Sequence, residues 1–391
     1  MPTSDDRKHR LGELARLFLR LGLTAFGGPA AHVAMMQDEI VRRRGWMTQE
    51  KFLDLLAAAH LIPGPNSTEM AIHVGRERAG WRGLLVAGGC FILPACLITL
   101  ALAWAYVHFG SLPQTARALY GVKPVIIAVV VQALAALARV AVKTRTLAAL
   151  ALVATAASFA GMNELLLLLL AGVAAAVLKL ASERPRTSPR LTALFPWSMT
   201  SVAASSAALP AGASAFGLAP LFLFLLKVGA ILFGSGYVLL AFLRAELVGR
   251  WHWLSEAQLL DAIAVGQITP GPVFSTAPFI GYLLGRTPGA AVATLGIFLP
   301  GFCFVAASGP LVPRLRRSPT AGAFLDGVIV ASLALMAEVT WHLGRAAIVD
   351  WATAALAAIA AFVLFRYRPN SAWLVLAGAL AGLALGWRAW A

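Results

Sequence analysis

The sequence predicts an all-α polytopic membrane protein of two inverted repeats. Each repeat carries two re-entrant, helix-break hairpins plus about four transmembrane helices. Three observations predict this: the chain is too apolar for water, it repeats internally, and its basic loops change sides between the copies. Of 391 residues, 60% are hydrophobic and 13% charged, with a mean hydropathy of +0.79. Soluble domains run at about 45–50% apolar and about 25% charged, so a water-soluble enzyme, a disordered chain and a coiled coil are excluded. The net charge of +15 fits either a nucleic-acid footprint or the basic cytoplasmic loops of a membrane protein. Hydropathy selects the second, so the expected partner is the lipid bilayer and not nucleic acid.

At the N-terminus, MPTSDDRKHRLGEL mixes charges and lacks an apolar core with a cleavage site, so no removable leader is expected. Cys90, Cys96 and Cys303 lie in apolar runs and read as small buried hydrophobes without disulfides.

The repeat is legible at a constant offset. FLRLGLTAFGGP from Phe18 matches FLLKVGAILFGSG from Phe224, with Gly22 on Gly229 and Phe26 on Phe233, an offset of 207. Glu39 falls on Glu246, Trp46 on Trp253, Asp54 on Asp261, and Pro63-Gly64-Pro65 on Pro270-Gly271-Pro272. Further along, at 206, Pro94 meets Pro300 and Gly121 meets Gly327. The repeats are expected at 11–181 and 217–391. Residues 182–216 form a Pro/Arg linker with room for an extra crossing at about 191–215.

Apolar spans are expected at 84–108, 114–138, 146–161 and 163–179, and again at 288–311, 319–343, 346–365 and 371–390. Before them come shorter pieces. Segments 11–26 and 30–43 flank Gly27-Gly28-Pro29, and 48–62 and 67–80 flank Pro63-Gly64-Pro65-Asn66. Each has about 14–16 residues, or roughly 21–24 Å of helix, short of the hydrocarbon thickness of about 30 Å. They read as half-helices meeting a break inside the membrane. Basic residues set the sides. Arg42-Arg43-Arg44, Arg76/Arg78/Arg82, Arg139/Lys143/Arg145 and Lys179/Arg184/Arg186 alternate with bare loops at 108–113 and 160–163. Both ends of 48–80 and of 11–43 are therefore cytoplasmic, which makes each a re-entrant hairpin. In the second copy the former bare loops gain Arg314/Arg316/Arg317 and Arg366/Arg368, while the former basic loops keep Arg250, Arg286 and Arg345. The bias is swapped, and the second copy is expected upside down. Inverted repeats with broken helices at mid-membrane mark secondary transporters.

A helix that begins inside the membrane presents unpaired N–H groups and a positive dipole end, for which an anion is the natural partner. The candidate substrate residues are Gly27, Gly28, Pro29, Pro63, Gly64, Pro65, Asn66, Ser67, Thr68 and Lys123. In the second copy they are Gly234, Ser235, Gly236, Pro270, Gly271, Pro272, Ser275 and Thr276. The first-turn hydroxyls either cap their helices or donate to a tetrahedral oxyanion; glycines let backbone approach a ligand. Lys123, on an apolar helix before Pro124, either meets a dianion or snorkels outward. Coupling candidates are Glu69, one turn into its half-helix, His60, and the matched cations Arg20 and Lys227, which would steer anions. Glu39/Glu246 and Asp54/Asp261 are expected to pair with nearby arginines, and Glu338 and Asp326 to serve coupling or charge pairing. The chain has no phosphate-binding G-x-x-x-x-G-K-[ST] loop and no H-E-x-x-H metal motif. No cofactor, metal or catalytic residue is expected.

Together, Phe26-Gly27-Gly28-Pro29, Pro63-Gly64-Pro65-Asn66, Phe233-Gly234-Ser235-Gly236 and Pro270-Gly271-Pro272 resemble the chromate ion transporter family in its long, two-domain form. The resemblance covers nearly the whole chain apart from the linker. It implies a multi-pass protein of the bacterial inner membrane that exports chromate from the cytoplasm, powered by the membrane potential or a proton gradient. It also implies competition from sulfate, the isostere of chromate, and is compatible with a homodimer. Family motif positions fall on Gly27, Gly28, Pro29, Pro63, Gly64, Pro65 and Asn66. The second copy has Gly236 for Pro29 and Val273 for Asn66, so the breaks are not expected to contribute equally. A sulfate carrier, a passive anion channel, and an intramembrane enzyme using Glu69, His73 and His60 are the alternative readings.

Overall fold

The computed structural model describes residues 4–26, 28–110, 112–182, 216–233, 236–316, 318–367 and 369–386, which form fourteen α-helices and no strand. The first half comprises α1 (Ser4–Thr24), α2 (Gly28–Gln37) with a π-helical turn at Asp38–Arg43, and α3 (Gln49–Ala59). It continues with α4 (Asn66–Phe109), α5 (Pro113–Ala141), α6 (Arg145–Phe159) and α7 (Glu164–Ser182). The second half comprises α8 (Leu218–Ile231), a 3-10 turn at Gly236–Val238, α9 (Leu239–Leu243) with a π-helical turn at Arg244–Arg250, and α10 (Glu256–Ile268). After a 3-10 turn at Val273–Ser275 come α11 (Thr276–Arg316), α12 (Pro319–Ala347), α13 (Trp351–Tyr367) and α14 (Ser371–Gly386). The α-helices and the π-helical turns repeat in the same order, and the second half adds the two 3-10 turns.

Local chemistry sets the boundaries. Pro113 and Pro319 occupy the first turns of α5 and α12, where a missing N–H costs nothing. Thr48 accepts from Lys51 N at 3.3 Å to start α3. Its mate Ser255 makes a full capping box with Gln258 at the start of α10. Between α12 and α13, Asp350 accepts from Thr353 N at 2.8 Å and from the Tyr120 hydroxyl at 2.6 Å. Those bonds hold its carboxyl below the usual range and tie α13 to α5.

Helix α4 is no straight rod. At Ala79 (φ −142°, ψ 22°) and Gly80 (φ 63°, ψ −146°) the backbone leaves helical geometry, and the arms 66–78 and 81–109 fold back on each other. Gly75 and Gly83 face each other so closely that a Cβ on Gly83 would meet the Ala79 Cβ at 2.8 Å. In α11 the same turn falls at Gly285 and Arg286 (φ 53°, ψ −148°), with Gly281 against Gly289. The short, basic break expected between 67–80 and 84–108 is thus a tight helical hairpin.

The halves interlock. Helix α5 packs on α13 and α14 of the other half, and α12 packs reciprocally on α6 and α7. The matched helices α5 and α12 also cross each other, and they run antiparallel. Ala141, Leu137 and Ala138 late in α5 cluster with Val330 and Leu333, whereas Ile127 lies against Gly344 late in α12. Lys143 Nζ reaches Asp326 Oδ1 at 2.7 Å. Matched spanning helices that run in opposite directions require a two-fold axis across them, which is the inversion the charge bias predicts. The expected crossing at about 191–215 lies outside the described residues. Its flanks sit at opposite ends of the bundle. Approaching Ser182, α7 runs against the start of α12 through Gly172 and Phe324, while Phe216 meets Trp253 edge-on at 5.2 Å beside Gly285.

Helices α4, α5, α7, α11 and α12 are long and apolar enough to cross a membrane. The outer helices present apolar side chains away from the protein, including Leu152 (74% exposed) and Trp373 (71%), as a lipid-facing surface does. Helix α6 has 15 residues against the 16 expected at 146–161, and α14 is described over Ser371–Gly386, giving about 22–24 Å of helix each. Cys90, Cys96 and Cys303 are free, but Cys303 is exposed rather than buried.

Candidate functional site

The half-helices pair as hairpins. Lys51 Nζ lies 3.1 Å from Glu77 Oε1 at the base of α3 and the first arm of α4. His60 Nδ1 lies 2.9 Å from Asn66 Nδ2 at the tip. In the α1–α2 hairpin, Glu39 binds Arg20, Arg43 (3.1 Å) and Arg44 (3.3 Å). Gly22 of α1 presses on the Phe91 carbonyl and Pro94, and Gly229 of α8 on Ile297 and Pro300. These contacts fall about midway along the long arms of α4 and α11, so the hairpin tips end at mid-depth.

There the tips are joined across the repeats. The Gly64 N–H donates to the Leu232 carbonyl at 2.7 Å, and the Gly271 N–H to the Ala25 carbonyl at 2.9 Å. Gly64 matches Gly271 and Ala25 matches Leu232 at the same offset of 207, so the two bonds are two-fold mates. Each Pro-Gly-Pro tip is held by the end of the first half-helix in the opposite copy. Gly64 (φ 137°) and Gly271 (φ 98°) adopt left-handed backbone, which side chains other than glycine rarely enter.

Buried polar groups with no partner gather at this junction. Ser67, Thr68 and Glu69, the first turn of the α4 half-helix, are each at most 2% exposed, and their side-chain oxygens have no hydrogen-bond partner. Ser275 Oγ is likewise buried and unpartnered, whereas Thr276 Oγ1 donates to the Val273 carbonyl at 2.9 Å. Native proteins satisfy most buried polar atoms, so this concentration singles out the junction as the candidate site. A cavity of about 20 Å³ lies beside the junction, between Phe26, Gly28, His32, Tyr237, Gln267 and Thr269. It has room for about one water, less than a tetrahedral oxyanion occupies. The Tyr237 hydroxyl donates to Gln267 Oε1 at 3.0 Å.

The structure brings Gly28, Pro29, Pro63, Gly64, Pro65, Asn66, Ser67, Thr68, Gly236, Pro270, Gly271, Pro272, Ser275 and Thr276 to the four tips. Gly27, Gly234 and Ser235 lie outside the described residues. Lys123 is elsewhere engaged: its Nζ lies 3.2 Å from Asp261 Oδ1, a charge contact rather than an aligned hydrogen bond. Tyr106 donates to Asp261 Oδ2 at 2.8 Å. The expected arginine partner of Asp261 is therefore a lysine and a tyrosine. Arg20 sits on Glu39 at a surface cavity of about 270 Å³ with Thr24, Asp38 and Arg43, and Lys227 is exposed on α8. Glu246 pairs with Arg250 at 3.1 Å. Asp326 pairs with Lys143, while Glu338 accepts from the Ser158 hydroxyl and lies 3.8 Å from His342. Sequence reasoning missed Tyr106 and Tyr237; the Tyr106–Asp261 bond spans 155 residues and leaves no local signal.

A family described as chromate transporter matches residues 12–177 and again 219–383. A chromate transport protein of Cupriavidus metallidurans is 34% identical over 372 residues, covering 95% of this chain and 92% of that one. A probable chromate transport protein of Synechococcus elongatus is 31% identical, covering 96% and 95%. A chromate transport protein of Pseudomonas aeruginosa is 30% identical, covering 95% and 91%. No solved structure matches. Matched in both halves and along nearly its whole length, this polytopic membrane protein belongs to the chromate transporter family.

Proposed function

We propose that the protein carries chromate from the cytoplasm across the bacterial inner membrane by alternating access, binding the dianion where the four helix breaks meet. The observation that supports this most is the reciprocal Gly64–Leu232 and Gly271–Ala25 bonding, which sets two half-helix starts and their unpartnered hydroxyls at mid-depth. Backbone N–H groups and the dipole of a half-helix attract negative charge. Ser67, Thr68 and Ser275 supply donors of the kind a tetrahedral oxyanion takes, and Asn66 adds an amide. The copies contribute unequally, because Thr276 is already engaged and Val273 stands where Asn66 does in the first copy.

An inside-negative potential contributes about 2.3 kcal/mol per charge per 100 mV, so about 4.6 kcal/mol expels a dianion. That is enough for export without a proton. Glu69, buried one turn below the tip, is the residue placed to make transport respond to protons, and His60 borders the same tip. Arg20 lies one turn before the tip end of α1, where it draws anions toward the tips. Sulfate has the same charge and shape, so it competes for these donors.

Ligand stabilisation of the purified protein tests the site. Chromate raises the melting temperature in proportion to the logarithm of its concentration above Kd, and sulfate reproduces part of that rise. A melting temperature indifferent to both anions contradicts the proposed site.

A further inference from the structure

The two copies are matched in sequence but not in packing. Helix α10 packs against α5, α12 and α14. Its mate α3 packs on α4 and α11, and among the described residues it makes at most marginal contact with α12, α5 and α7. Exposure follows. Asp261 is 4% exposed and Gln267 7%, while their mates Asp54 and His60 are exposed. Charged groups at membrane depth face water, not lipid, and of the exposed positions between Gln49 and His60 only Leu53 is apolar. The side of the tips flanked by α3 is therefore left uncovered, and the opposite side is covered by α10.

The covered side has chemistry that the uncovered one lacks. Asp261 on α10 is held by Lys123 of α5 (3.2 Å) and Tyr106 of α4 (2.8 Å), both from the other copy. The position that mirrors Lys123 is Ile329, so no lysine stands at that place on the α3 side. Arg42, Arg43, Arg44, Arg76, Arg78 and Lys143 share the end of the bundle where α3 opens, which puts that end in the cytoplasm.

We propose that Lys123, Asp261 and Tyr106 form a latch closing the outer mouth, and that the structure is the state open to the cytoplasm. The proposal rests on the alternating-access reading above. Opening the outer mouth separates α10 from α5, α12 and α14 and brings α3 onto α12, α5 and α7. The latch sets the balance between the two states, because breaking it exposes a charge pair that is otherwise buried. It also places a lysine on the outward route of the dianion once Asp261 withdraws.

The test reads conformation directly. In a variant with Cys90, Cys96 and Cys303 replaced by alanine, single cysteines are placed by His60→Cys or Gln267→Cys and labelled with a membrane-impermeant maleimide. Everted vesicles expose the cytoplasmic face, and right-side-out vesicles the other. With the latch intact, position 60 labels from the cytoplasmic face about tenfold faster than position 267 labels from outside. In the Lys123→Met, Asp261→Leu pair, labelling at 267 rises about tenfold and labelling at 60 falls. The charge swap Lys123→Asp, Asp261→Lys restores the protection of 267, which separates latch loss from misfolding. Equal labelling at 60 and 267 with the latch intact overturns the assigned state, and rates unmoved by the latch-less pair overturn the latch. If labelling switches but vesicles carry no chromate, the carrier reading fails and the latch stands; chromate flux with unswitched labelling fails the latch alone.

Discussion

The hydroxyls of Ser67 and Thr68 decide between two roles that the sequence leaves open. A capping hydroxyl accepts from a backbone N–H two or three residues on, as Thr48 does from Lys51. Ser67 Oγ and Thr68 Oγ1 have no such partner in their buried positions. Removing a cap costs about 0.5–2 kcal/mol, whereas removing an unsatisfied buried hydroxyl relieves a penalty of about 1–3 kcal/mol. Ser67→Ala and Thr68→Ala are therefore expected to keep or raise the melting temperature while raising the KM for chromate. A lower melting temperature with unchanged KM returns these residues to helix capping. Much at this scale was readable in advance. Pro-Gly-Pro announces a break because proline lacks an N–H and glycine admits φ of 98–137°. The partner of Lys123 was not readable, since Asp261 reaches it only through the interlocking of the copies.

Among the elements, the hairpin turns of α4 and α11 differ in the residue that takes positive φ. The first copy places Gly80 at positive φ, and the second places Arg286 there, at φ 53° and ψ −148°. A non-glycine residue in such a region stores about 1–3 kcal/mol. Its guanidinium lies 6.0 Å from the Tyr282 ring, a distance at the limit of a cation–π contact and worth little in return. Arg286→Gly is expected to stabilise the protein by about 1 kcal/mol, read as a higher melting temperature in detergent with transport retained. A melting temperature lowered by this change contradicts the strain at that turn. Half-helix lengths were legible from the spacing of breaks against the membrane thickness. The π-helical turns at Asp38–Arg43 and Arg244–Arg250 were not, because no residue type there departs from ordinary helix.

For the whole molecule, the reversal of arginine bias and the antiparallel crossing of α5 and α12 give the same inversion by independent routes. Charge bias needs only loops and so survives in sequence; the exchange of α5 and α12 onto each other's outer helices needs coordinates. That exchange means neither half buries its core alone. Residues 1–182 and 183–391 expressed together as two chains are expected to co-purify, and either alone to be degraded or to aggregate. Separate stable halves contradict the interlock. The central claim concerns anion movement, and labelled chromate in everted vesicles tests it most directly. Respiring everted vesicles that contain the protein should accumulate chromate, lose the accumulation when the potential is collapsed, and accumulate less with Ser67→Ala. Accumulation no greater than in vesicles lacking the protein contradicts the claim.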